Sequence, residues 1–132
     1  MDTIADVAAD LSTTVATARD QRSERDACWS IIVQFIDDFA RANDASRVQT
    51  VANRPSTTGS HRWDAFVAAL TEHLCRLHGV RVPRWALDQA YVLEEWWFPS
   101  GYESLHATAL VESPASFAVR GIFLTGGALA RR

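Results

Sequence analysis

The chain has 132 residues, of which 48% are hydrophobic and 22% charged, with a formal net charge of −3. That length suits one globular domain around one core and is too short for two independent ones. The acidic balance argues against a general nucleic-acid coat, and apolar runs such as Ile31 to Val33 are far too short to cross a bilayer.

Lysine is absent, so all 13 of the strongly basic residues are Arg. The start Met1-Asp2-Thr3-Ile4-Ala5-Asp6 lacks the basic opening and continuous apolar region of a secretory signal, which points to a cytoplasmic chain. Cys28 and Cys75 are isolated and near apolar positions. They read as reduced core residues rather than a disulfide framework.

Thr3 and Asp6 form a helix-start signal, after which Ile4, Val7, Ala8, Leu11, Val15 and Ala18 recur on one helical face. The second half of this first helix, with Ser12, Thr13, Thr14 and Thr17, has poor helix propensity. Ser23 with Asp26 repeats the start signal, and Cys28, Ile32, Phe35 and Phe39 then make a stripe flanked by Ile31 and Ile36. On its outer face Asp37 and Asp38 stand at ion-pair spacing from Arg41. Asp44 is placed to cap a short helix through Val48 and Val51, ending before Asn53-Arg54-Pro55, because the residue preceding a proline is pushed out of helical geometry.

After a polar connection at Ser56 to Ser60, a third long helix carries Trp63, Phe66, Val67, Leu70, Leu74 and Leu77, with Gly79 where a left-handed C-cap is wanted. Val80 to Trp85 contains Pro83 and reads as extended, leading into a brief turn or helix over Ala86 to Leu93. In the last third, Ser100 and Glu103 have the spacing of a capping box for a helix through Tyr102, Leu105 and Ala109. Ser113 is placed to cap a further helix with Pro114 at its first position, and Gly121 to end it. The chain closes on a Gly126-Gly127 break and the basic pair Arg131-Arg132. This pattern predicts an all-α, single-domain bundle over 1–132: three longer amphipathic helices, short C-terminal helices, and a core of Ile32, Phe35, Phe39, Phe66, Leu70, Leu74 and Leu77.

Candidate chemistry is sparse. His73, Cys75 and His78 are close in sequence, but His73 and His78 point to different sides of a helix and no nearby pair completes a tetrahedron, so no metal site is expected. Glu94 and Glu95 adjoin Trp96, Trp97 and Phe98, where desolvation could raise a carboxyl pKa; pairing with an arginine is the competing reading. No strained Gly-Ser-Gly nucleophile turn and no phosphate-cradling glycine loop occurs, and neither catalysis nor a cofactor is expected. Arg76, Arg81 and Arg84, with His78, form a basic cluster that complements the helix dipole and alternatively offers a patch for phosphate or an acidic partner, as in a DNA-binding regulator. The rings of Trp85, Trp96, Trp97, Phe98 and Tyr102 fill space in a small domain. Consecutive Trp-Trp-Phe cannot all turn inward, and an exposed Trp or Tyr beside Arg has the composition of an interaction hot spot.

Several short motifs follow one another through the C-terminal half: Trp63-Asp64-Ala65-Phe66-Val67-Ala68-Ala69-Leu70 with Glu72-His73-Leu74, Trp97-Phe98, Leu105-His106-Ala107, Ser113-Pro114-Ala115-Ser116-Phe117 and Arg120-Gly121-Ile122-Phe123. The pattern resembles a family of small actinobacterial antitoxin-like proteins encoded beside nucleotidyltransferase-fold toxins of the abortive-infection type. In that family an acidic or polar residue often follows the Ile-Phe pair, where this chain has Leu124-Thr125-Gly126-Gly127. Residues 1–62 carry none of the resemblance. It implies a non-catalytic binding protein that restrains a toxin enzyme. The partner-binding candidates are then Trp96, Trp97, Phe98, Tyr102, Phe123 and Arg120, with Arg120 as a charged anchor. Were Arg120 instead a buried strut, Glu103 or Glu112 would be its expected mate.

Overall fold

A computed structural model describes residues 1–129. Among them the fold is all-α, with a single isolated parallel bridge joining Trp97 to Ile122 in place of any strand. The pair Arg131-Arg132 lies outside the described residues.

Helix α1 (Ile4–Thr17) opens with the expected reciprocal capping box, in which the Thr3 hydroxyl accepts from the Asp6 amide and the Asp6 carboxylate accepts from the Thr3 amide. Its weak second half stays helical with Thr13, Thr14 and Thr17 donating back to the carbonyls of Ala9, Asp10 and Thr13. Helix α2 (Gln21–Arg41) starts earlier than Ser23: Asp20 is the cap, its carboxylate accepting from the Ser23 amide at 2.7 Å. That hydrogen bond holds the Asp20 carboxyl below the ordinary value. Asp38, expected to face Arg41, accepts from the Gln34 side chain at 2.9 Å.

Helix α3 (Asp44–Thr50) is capped by Asn43, one residue before the expected Asp44; Asp44 occupies the first turn and pairs with Arg47 at 2.9 Å. Asn and Asp are equally good caps, so Asn43-Asp44 leaves the start ambiguous by one position.

Helix α4 (His61–Leu77) is the axis of the molecule. Every residue from Ala65 through Glu72 is buried, so the apolar stripe read from its sequence widens to the full circumference. Ala65, Ala68 and Ala69, fully buried, let α1 and the flanking turns approach its backbone closely. Leu77 leaves the predicted core: it is 66% exposed, while Leu74 and Cys75 take the buried face of the same last turn. The exit is a Schellman motif, with the Val80 amide donating to the Cys75 carbonyl at 2.9 Å and Gly79 at φ +70°.

Past an extended stretch, two 3₁₀ turns, Arg84–Leu87 and Gln89–Tyr91, lie against α4. The Ser100–Glu103 capping box does not form. Gly101 takes φ +70°, which turns the chain between the two residues; Ser100 instead accepts from the Tyr102 amide, and a 3₁₀ turn (Glu103–Leu105) leads into α5 (His106–Glu112). Helix α6 (Ala115–Ala118) differs too. Pro114, with extended ψ of 144°, is its cap residue, and the Ser113 hydroxyl donates to the Ile122 carbonyl and accepts from the Leu124 amide. Gly121 ends α6 as expected.

One hydrophobic cluster joins these parts. Ile4 and Leu11 from α1, Ile32, Phe35 and Phe39 from α2, and Phe66, Leu70 and Leu74 from α4 meet Phe117, Ile122 and Leu124 from the chain's end. The tail thus folds back over the long helices, and Phe117 stands edge-on to Phe66 with ring centroids 5.0 Å apart.

Candidate interaction surface

The ring-rich segment is tied to the returning chain by main-chain hydrogen bonds: Leu93 donates to Arg120, Trp97 to Gly121, and Phe123 back to Trp97, at 2.8–3.0 Å. This pairing alternates the rings. Trp97 turns inward, edge-on to Trp63 at 5.0 Å, whereas Trp96 turns outward and is 64% exposed. Phe98 is half-buried and stacks on His106 at 3.8 Å and on Phe123 at 5.5 Å; Phe123 in turn meets Trp96 at 5.1 Å. Trp96, Phe123, Phe98 and His106 are therefore one continuous run of rings, open to solvent at its Trp96 end. Tyr102 is 60% exposed beyond it.

Tyr102 and Leu105 form one wall of a groove of about 390 Å³ whose other lining includes Trp29, Pro99, Leu124 and Ala128. Further apolar side chains face solvent on α5 and just after α6: Leu110, Val111 and Val119. Of the six partner-binding candidates, Trp96 and Tyr102 are open, Trp97 and Phe98 half-buried, and Phe123 and Arg120 buried.

Arg120 is an internal strut. Its side chain is 4% exposed, and its guanidinium donates to Glu72 at 2.7 Å, to the Ala86 carbonyl at 2.6 Å and to the Ser116 carbonyl. It so fastens α6 and the first 3₁₀ turn to α4, and it is not placed as a surface anchor. Its mate is Glu72 rather than Glu103 or Glu112; Glu112 accepts from the Gly126 amide. Burial by itself would push the Glu72 carboxyl up, but hydrogen bonds from Arg120 and Arg76, and their charges, outweigh it and hold the group below its ordinary value.

Neither a family model, nor a curated protein, nor a solved structure matches the chain.

The basic cluster is divided by the same ion network. Arg76 is held by Glu72 at 2.7 Å, while Arg81 and Arg84 are exposed. His73 and His78 sit apart, His73 against Phe117 and His78 against Phe39, and burial holds both below the ordinary imidazole value. Among the described residues no three His, Cys, Asp or Glu side chains converge as metal ligands. Glu94 and Glu95 are exposed at the rim of an open depression with His61 and Arg62. Both thiols are buried, and desolvation pushes Cys28 up to about 12 and Cys75 up to about 11, so neither is a ready nucleophile at neutral pH.

Sequence reasoning missed Glu72, Trp29 and Leu105. A carboxylate on the otherwise apolar face of α4 was the available signal for Glu72. Nothing local marks Trp29 or Leu105, whose role comes from the groove that α2 and the chain's end build together.

Proposed function

We propose that this protein is a non-catalytic, antitoxin-like binding protein that restrains a nucleotidyltransferase-fold toxin. The observation that carries the reading is the outward face of the ring-rich segment: Trp96 stands exposed on a stretch clamped from behind by the chain that the Glu72–Arg120 pair holds, and Tyr102 stands exposed on the wall of an apolar groove. Large rings held rigid at a surface lose little entropy on binding and supply much of the energy of protein interfaces. The ordered motifs of the C-terminal half supply the partner class. Their Arg120-Gly121-Ile122-Phe123 element acts indirectly, as the fastening that keeps Trp96 presented.

The test begins at the neighbouring reading frame. It should encode a nucleotidyltransferase-fold protein whose expression alone arrests growth, and co-expression of this chain should restore growth. A neighbouring gene of that fold that is harmless, or toxicity unaffected by the chain, would refute the reading.

A further inference from the structure

A second depression, of about 290 Å³, adjoins the apolar groove, and Arg25 and Pro99 line both. Two arginines face it. Arg62 rides over the Trp97 ring, 5.7 Å from its centroid. Arg25 lies against Gly101, with its Nη1 atom in the space that a Cβ there would need. Both guanidiniums are thus positioned by uncharged neighbours, and among the described residues no carboxylate pairs closely with Arg62, although Glu94 and Glu95 share a further depression with it. The Arg25 side chain is only 27% exposed, yet its closest carboxylate among the described residues is Asp26, at a loose 3.9 Å. Glu24 lines the depression too, its Oε1 accepting from the Trp63 indole at 2.9 Å, so two guanidiniums there face one carboxylate. Asp26 stands on the apolar side of the divide.

A largely covered guanidinium without a close counter-charge, as at Arg25, is costly, and with the exposed Arg62 beside the same cleft it favours an incoming oxyanion. From this arrangement, and resting on the binding-protein reading above, we infer that the double cleft takes an extended segment of a protein partner in which an Asp or Glu adjoins a large apolar residue. The carboxylate meets Arg25 and Arg62; the apolar side chain enters the groove between Trp29, Tyr102 and Leu105. Arg25 and Arg62 then supply the charged anchors of the surface, the part that buried Arg120 does not play.

The experiment is a selection of displayed random peptides against the whole chain, followed by anisotropy measurements on labelled versions of the enriched peptides. The enriched set should pair an acidic residue with an adjacent aromatic or aliphatic one. Binding should weaken about tenfold or more in Arg62→Glu, an exposed position whose change leaves the fold intact, and likewise in Arg25→Gln. Inorganic phosphate should compete only feebly. An absence of enriched peptides, a set without acidic bias, affinity unchanged in both variants, or phosphate binding as tightly as the peptides would each overturn the inference. Because the assay uses no toxin, its failure is separable from failure of the growth test.

Discussion

Arg120→Met is the sharpest perturbation of the structure, since it keeps most of the side-chain length and removes the guanidinium. Glu72, whose side chain is 10% exposed, would keep only Arg76 as a counter-charge, and Arg76 is itself 63% exposed. The carbonyls of Ala86 and Ser116 would lose a donor in the interior. Breaking one partner of a buried pair costs about 3–5 kcal/mol. For a chain of 132 residues, with an unfolding entropy of about 2.1 cal/mol/K per residue, that is a fall in Tm of about 11–18 °C. Urea unfolding followed by tryptophan fluorescence reads the loss directly. The double variant Glu72→Leu/Arg120→Met should cost well under the sum of its two singles, because each single leaves behind a charge that the double removes. A single-variant loss below about 1 kcal/mol, the size of an exposed pair, or strict additivity would refute the strut assignment.

Leu74→Ala should destabilise by about 2–5 kcal/mol and Leu77→Ala by under about 0.5, although both lie on one stripe; equal losses in urea titrations would contradict the placement of Leu77 outside the core. Gly79→Ala should cost about 1–2 kcal/mol with no steric clash, as an L-residue at φ +70° is strained while the space around its Cβ is open, so an unchanged Tm would count against the Schellman exit. Acid should act in two stages. His73 and His78 have depressed values in the fold, so the unfolded chain binds more protons once pH drops below about 6.5, and stability declines from there. Glu72 is also depressed, so its contribution is present above its unfolded value and is lost as pH falls below about 4.5. Denaturation midpoints that stay level from neutral to that pH would remove the histidine stage. Finally, Cys28 and Cys75 should react with a thiol reagent only as fast as the chain opens, and rapid labelling of the native protein would show that they are not buried as described.

Much of the scaffold was legible because its signals are local. The Thr3–Asp6 box, the α2 stripe, the Pro55 break, Gly79 and Gly121 each act within a turn or two of themselves. The cap residues shifted where adjacent candidates compete: Asp20 precedes Ser23 by one turn, and Asn43 abuts Asp44. Pro114 fits either a cap or a first-turn position, and only the folded chain, which draws Ser113 to the Ile122 and Leu124 backbone, decides between them. The candidate surface was half legible. That some ring of Trp96-Trp97-Phe98 must face outward follows from their adjacency, but the choice of Trp96 follows from hydrogen bonding between Trp97 and the returning strand-like piece at Ile122. Arg120 misled for a related reason. Its partner Glu72 lies 48 residues away, so no sequence window holds the pair that makes it a strut.

The central claim, that the outward rings bind a nucleotidyltransferase-fold enzyme, is tested most directly by retrieving the tagged chain from its native cells and identifying what comes with it. The wild-type chain should bring down such an enzyme in stoichiometric amount, and Trp96→Ala/Tyr102→Ala, a surface change that leaves the fold intact, should lose it. Retrieval without that enzyme, or equal recovery by the double variant, would contradict the account.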